Sequence, residues 1–139
     1  MHKVYIGLGS NIGNKEHHLN TAIKKIEQFS NVTKVSSFHN TKPVGFTDQD
    51  DFLNACIEIE TSQEPLQLLH TLLNIEKEMG RERTFKNAPR IIDLDILIYD
   101  NVKINTNELT IPHPRMWERE FVLIPLKEIA PEIINKRRL

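Results

Sequence analysis

Residues 89–100 read PRIIDLDILIYD, and the reading of this stretch decides the fold. Ile91, Ile92, Leu94, Ile96, Leu97, Ile98 and Tyr99 suit a buried strand rich in β-branched side chains. Asp93 and Asp95 interrupt it. Residues two apart on a strand share a face, so the two carboxylates sit side by side with Cα atoms roughly 6.5–7 Å apart. The opposite face carries Ile92, Leu94, Ile96 and Ile98 and is expected to pack on helices. That leaves the Asp face as the helix-free side, where a ligand can lie. For a lone D-x-D, two solvated carboxylates on a sheet face open to water are the plainer reading.

Upstream, residues 3–9 (KVYIGLG) alternate, with Val4, Ile6 and Leu8 on one face of a first strand. GSNIGN follows as a Gly/Asn turn, with Asn14 as a helix cap. Leu19, Ala22, Ile23, Ile26 and Phe29 fall at helical spacing over 16–29. Residues 32–39 form a weaker strand, and 40–51 (NTKPVGFTDQDD) a loop long enough to suggest function. Residues 52–60 (FLNACIEIE) are a clear strand with Leu53, Ala55, Ile57 and Ile59 inward and Phe52, Asn54 and Cys56 on the other face.

Pro65 opens a second helix whose stripe is Leu66, Leu69, Leu72, Leu73 and Met79, and Gly80 ends it. Beyond residue 101 we expect a short hairpin (KINTNELTIP) and helical turns around RMWEREFVLIPLKEIA. The order β-α-β-β-α-β predicts an α+β protein, a ferredoxin-like sandwich with an antiparallel sheet and helices on one face. A short C-terminal extension completes a single domain over 1–139.

A chain of 139 residues is one domain in size, and 39% hydrophobic with 27% charged residues is ordinary for a globular protein. Lys and Arg number 18 against 19 Asp and Glu, a net charge of −1, so no global field recruits nucleic acid or anionic lipid. Cys56 is the only cysteine, which excludes an intrachain disulfide and suits a reducing compartment. The N-terminal apolar run is too short for a signal peptide, and no run approaches the ~20 apolar residues of a membrane span. The expectation is a cytoplasmic monomer or small homo-oligomer with no nucleic-acid or membrane partner.

The neighbours of the Asp pair sharpen its reading. The loop over 80–90 carries Arg81, Arg83, Lys86 and Arg90 against one acid, Glu82. Two hard oxygen ligands on a rigid strand beside a cationic loop suit a magnesium–polyphosphate site. The bland alternative is a surface charge pairing, which stabilises little. Phe52 and Asn54 present an aromatic plane and a two-way amide, a combination that suits a flat heteroaromatic ring. Taken singly, each is better read as edge packing and as a strand-start hydrogen bond. His113 lies between two prolines in IPHPR; near a phosphate it could donate a hydrogen bond or neutralise charge. GLGSNIG is neither G-x-G-x-x-G nor a Walker A loop, so its glycines and asparagine are read as turn formers.

KNAPRIIDLDIL at 86–97, with FLNA at 52–55, GRER at 80–83 and IPHPRMWEREFVLIPL at 111–126, resembles the 6-hydroxymethyl-7,8-dihydropterin pyrophosphokinases of folate biosynthesis. The match runs from GSN at 9–11 to LIPLKEIAPE at 123–132. These enzymes move a diphosphate from ATP to a pterin alcohol and release AMP. The resemblance implies that Asp93 and Asp95 hold two Mg²⁺ ions on ATP. Arg81 and Arg90 would be catalytic, and Arg83, Arg90, His113, Arg119 and Glu76 would bind the nucleotide. The pterin would lie between Phe52 and Phe121, its edge read by Asn54, Thr41 and the backbone around Pro43, Val44 and Gly45. The family usually carries a tryptophan before its Pro-Arg, where this chain has Lys86, Asn87 and Ala88 in a loop one residue shorter. The chain also ends at INKRRL, short of the family's usual C-terminal segment, as a natural short form or a truncated one would.

Two rivals from other classes fit less well. A nuclease with the same carboxylate clamp needs an extended basic groove. An RNA-binding module of this fold would show K/R-G-F-x-F-type aromatics, and none occur.

Overall fold

A computed structural model describes residues 1–43, 45–81, 85 and 88–137, the last of these by its backbone alone. The chain runs β1 (His2–Ser10), α1 (Lys15–Ile26), β2 (Asn31–Val35), β3 (His39–Thr41), β4 (Phe52–Thr61), α2 (Pro65–Glu78) and β5 (Asp93–Tyr99). A hairpin of β6 (Ile104–Asn105) and β7 (Thr110–Ile111) follows, then a 3-10 turn (Met116–Glu118), α3 (Glu120–Ile129) and α4 (Pro131–Arg137). The main sheet is antiparallel in the order β2-β4-β1-β5, with β3 also paired to β4.

The expected strand over 32–39 is two strands on one edge of β4, β2 along its second half and β3 along its start. Ser36 explains the break. Its N–H donates to the Cys56 carbonyl at 2.9 Å, but the Cys56 N–H donates to the Ser36 hydroxyl, also at 2.9 Å, where a ladder carbonyl would otherwise accept.

Asn14 caps α1 by accepting from the His17 N–H, and Leu19, Ala22, Ile23 and Ile26 are buried. Phe29, expected on that stripe, lies past the helix end and is 38% exposed. Helix α2 starts at Pro65 as expected, but it faces the sheet with Leu68, Leu72 and Ile75, while Leu66 and Leu73 point outward. Both stripes have helical spacing in a leucine-rich segment, and packing against the sheet selects one. Gly80 ends the turn after α2 at φ +90°, a region glycine adopts without strain.

One face of the sheet packs on α1 and α2 through Val4, Ile6, Leu8, Ala55, Ile57, Ile59, Ile92, Leu94 and Ile96. Ile98 does not join them. The register with β1 slips between Tyr5 and Ile6, which leaves Leu97 as an extra residue in β5. The bulge turns Ile98 to the opposite face and brings Tyr99 to the helix side, reversing the alternation.

Helices on one face only is the expectation that the fold corrects. Tyr5, Cys56 and Leu97 make an apolar patch on the second face, and Met116, Val122, Leu126, Ile129, Ala130 and Ile134 of the C-terminal extension cover it. An apolar half-face must be buried, and the extension buries it. The remaining half of that face, toward the start of β5, stays open as a pocket.

Candidate active site

The pocket is built across three strands. Residues 52, 54 and 56 of β4, 7 and 9 of β1, and 93 and 95 of β5 share the second face. Gly9 stands between Asn54 on one side and Asp93 on the other, and Gly7 stands between Cys56 and Asp95. The central strand therefore contributes no side chains at the two positions where they would fill the space between the neighbours. A Cβ on Gly9 would come 2.9 Å from Asn54 Oδ1, and one on Gly7 would sit 3.5 Å from Leu97. The glycines read as turn formers thus form the floor of a cavity of about 180 Å³.

Thr41, Phe52, Asn54, Arg90, Asp93, Asp95, Arg119 and Phe121, all anticipated from the sequence, line this cavity together. Asn54 is buried and its amide donates to the Thr41 hydroxyl. The Arg90 guanidinium lies 5.9 Å from the Phe52 ring centroid, and that of Arg119 lies 5.5 Å from the Phe121 ring centroid. Each aromatic wall thus carries a cation at its side. Lys42, Cys56 and Arg115 also line the cavity and escaped the sequence reading. Arg115 could have been found beside His113 in IPHPR; Lys42 gave no signal beyond its place in the 40–51 loop, and Cys56 none beyond its strand face.

Other anticipated residues stand outside the lining. Glu76, on α2, is buried behind β5. Its Oε2 accepts from the Leu94 N–H at 2.8 Å and pairs with Arg81 Nη1 at 2.8 Å. Arg81 in turn bonds Asp93 Oδ1 at 2.9 Å, and Arg90 bonds Asp93 Oδ2 at 3.1 Å. Glu76, Arg81, Asp93 and Arg90 thus form one ionic chain, and Glu76 acts at its inner end as an anchor of β5. Pro43 and Gly45 lie on the loop beyond Lys42. Val44 and Arg83 lie outside the described residues.

His113 is half-buried next to the cavity, and its N–H donates to the Leu97 carbonyl at 2.9 Å. Burial, with Arg119 nearby, lowers the imidazole's pKa, so the ring is neutral at pH 7. Its Nδ1 accepts from the Arg115 N–H at 3.3 Å, which leaves Nε2 as the N–H donor. The Nε2–H is a hydrogen-bond donor it can offer a phosphate.

The two aspartates differ. Asp93 is held by two arginines, whereas among the described residues no ion pair reaches Asp95. Burial first, then the Asp93 and Glu76 carboxylates, push the Asp95 carboxyl up to about 7, against the pull of Arg119 and Arg81. Among the described residues no group of three or more His, Cys, Asp or Glu side chains is arranged to hold a metal ion. The donor set is instead two carboxylates on one face in a pocket rimmed by cations. That fits Mg²⁺, which binds through one or two carboxylates and completes its shell with phosphate oxygens and water.

An antiparallel α+β scaffold with carboxylates, arginines and an aromatic wall around one cavity defines the class as a phosphoryl-transfer enzyme. Residues 5–131 match the 7,8-dihydro-6-hydroxymethylpterin-pyrophosphokinase family, and the chain belongs to it. It is 49% identical over 131 residues to a 2-amino-4-hydroxy-6-hydroxymethyldihydropteridine pyrophosphokinase of Bacillus subtilis, covering 93% of this chain and 78% of that one. The enzyme of that name in Haemophilus influenzae is 48% identical, covering 94% and 82%. The folate synthesis bifunctional protein of Arabidopsis thaliana is 46% identical, covering 91% of this chain and 27% of that one. Among solved structures, an HPPK-DHPS crystallised in complex with substrates superposes with a TM-score of 0.74 at 17% identity, over 94% of this chain and 40% of that one.

Proposed function

We propose that this chain transfers a diphosphate from Mg²⁺·ATP to 6-hydroxymethyl-7,8-dihydropterin in folate biosynthesis, releasing AMP. The observation that carries the proposal is the pair of cross-strand rows Asn54–Gly9–Asp93 and Cys56–Gly7–Asp95. They set groups able to recognise a ring edge and groups able to hold a metal on opposite sides of one glycine floor. The strand order β2-β4-β1-β5 supports a ferredoxin-like reading of the βαββαβ core, with the C-terminal helices added on its second face.

In this reading the pterin lies between Phe52 and Phe121, its edge read by Asn54, Thr41 and the backbone around Pro43, Val44 and Gly45. Asp93 and Asp95 would hold two Mg²⁺ ions, which when bound would supply charge neutralisation for the phosphates and lower the pKa of the attacking hydroxyl. Arg90, Arg119 and the Nε2–H of His113 orient the phosphate chain, with Arg81 and Arg83 joining it. The hydroxymethyl oxygen forms a bond to the β-phosphorus as the bond from that phosphorus to the α,β-bridging oxygen breaks, and AMP leaves with that oxygen. Arg81 and Arg90 stabilise charge developing on the leaving group. Among the described lining residues no side chain stands out as a dedicated general base; in this reading the hydroxyl's proton would pass to Asp95.

We further infer a single functional domain over 1–139, acting as a monomer or small homo-oligomer in the cytoplasm on small-molecule substrates without nucleic-acid or membrane partners. No helix among the described residues is long and apolar enough to cross a membrane. The deciding experiment incubates the folded protein with ATP, Mg²⁺ and 6-hydroxymethyl-7,8-dihydropterin and follows AMP. Pterin-dependent AMP release is expected; release no greater than without the pterin refutes the proposal.

A further inference from the structure

Asn11 follows the end of the central strand β1, where the segments feeding both neighbouring strands converge. Residues 42–51 lead into β4 at Phe52, and residues 88–92 lead into β5 at Asp93. Asn11 is only 3% exposed and its amide is fully engaged. Nδ2 donates to Gln49 Oε1 at 2.7 Å and to the Asp50 carbonyl at 3.1 Å, while Oδ1 accepts from the Arg90 N–H at 2.7 Å. Its own N–H donates to the Arg90 carbonyl at 3.0 Å. A turn asparagine bonds the backbone two residues on. The partners of this side chain lie 38, 39 and 79 positions away.

What Asn11 holds is the two sides of the active site. Arg90 reaches Asp93 with its Nη1 and lies beside the Phe52 ring with its guanidinium. The segment ending at Asp50 leads directly into Phe52, and Lys15 Nζ steadies it from α1 by donating to the Asp51 carbonyl at 2.8 Å. A buried amide bonded on both edges cannot follow one segment away from the other without leaving a donor or an acceptor unpaired. We propose that Asn11 is a positioning residue that couples the segment 45–51, which leads into Phe52, to Arg90, so that filling either side of the pocket strengthens binding at the other. This rests on the assignment of the two sides given under Proposed function.

Coupling of this kind is reciprocal and is read as one factor in two affinities. Titration calorimetry with a Mg²⁺-loaded non-hydrolysable ATP analogue and with 6-hydroxymethylpterin, each alone and in the presence of the other, measures it. Wild-type protein is expected to show a factor of at least about fivefold. Asn11→Ala, shown to be folded by its thermal melt, should bring the factor below about twofold, and Gln49→Ala should give an intermediate value because the Asp50 carbonyl bond remains. Hydrogen exchange without ligand should show the Arg90 amide and residues 45–51 losing protection together in Asn11→Ala. A wild-type factor of one, or an unchanged factor in both variants, overturns the proposal. Where Asn11→Ala does not fold, an unchanged factor in Gln49→Ala does so alone. Wild-type protein that binds neither ligand refutes the assignment of the site itself; the exchange measurement still tests the tie, and unchanged protection at Arg90 and 45–51 overturns it.

Discussion

Asp95→Asn is expected to stabilise the unliganded protein while removing its activity. The Asp95 carboxyl is pushed from an ordinary value of 3.8 up to about 7 by burial and by the Asp93 and Glu76 carboxylates. A carboxyl with a raised value in the fold binds its proton more tightly there than in the unfolded chain. Its ionisation therefore removes stability as pH rises from about 4 to about 7, and the loss is complete above that window. About three units at 1.36 kcal/mol each set a ceiling of about 4 kcal/mol, and access of water to the pocket reduces it to about 1–3 kcal/mol.

Asparagine has nearly the same shape and no charge, so it escapes this penalty. Thermal melts of the two proteins from pH 4 to pH 8 should coincide near pH 4 and separate by pH 7.5, with the variant melting higher by several degrees. Mg²⁺ with an ATP analogue should restore the wild-type protein by mass action and leave the variant little changed. Parallel melting curves across the range, or a variant less stable at pH 7.5, would refute the electrostatic account of this residue. Turnover should fall by orders of magnitude; a near-normal rate would remove Asp95 from the metal site.

Asp93→Asn should have the opposite sign. It strips two arginines of their carboxylate, so the unliganded protein should lose about 1–3 kcal/mol in urea unfolding as well as its turnover. Glu76→Ala leaves the buried Leu94 N–H without this acceptor and removes one of Arg81's carboxylates, a loss of about 3 kcal/mol, and Glu76→Gln should recover part of it. A change confined to nucleotide affinity with stability intact would instead return Glu76 to direct ligand contact. Glu58 is buried, which alone would raise its pKa, yet hydrogen bonds from Tyr5 and Thr33 outweigh burial and hold the carboxylate below its ordinary range. Its contribution is present above about pH 4.5 and lost as pH falls through the folded value, so Glu58→Gln should flatten the acid limb of the stability profile. Burial pushes the Cys56 thiol well up, so alkylation should occur only on unfolding; rapid labelling of native protein would contradict the closed packing of α3 over β4.

Much of the candidate site's layout was legible because strand alternation is a short-range rule. Placing Phe52 and Asn54 on one face of β4, and both aspartates on one face of β5, needs nothing beyond the period of two. Arg90, three residues before Asp93, came with them. Glu76 was legible only as a position, since helical spacing does not say whether a side chain reaches the pocket or the back of a strand. The structure settles it by bonding that carboxylate to Leu94.

The sequence by itself determined the βαββαβ order, the glycine and proline boundaries, and the face of the strand residues before the bulge in β5, because each depends on neighbours within about one turn or pleat. Tertiary structure alone decided three matters. The bulge at Leu97 turned Ile98 to the second face, since register depends on how β5 aligns with β1. The C-terminal helices covered half of that face, since only assembly shows which apolar patch is left bare. Gly7, Gly9 and Asn11 changed from turn formers into the pocket floor and the tie between its two sides. Their partners lie dozens of residues away in the chain, and contacts at that separation leave no periodic trace in a single sequence.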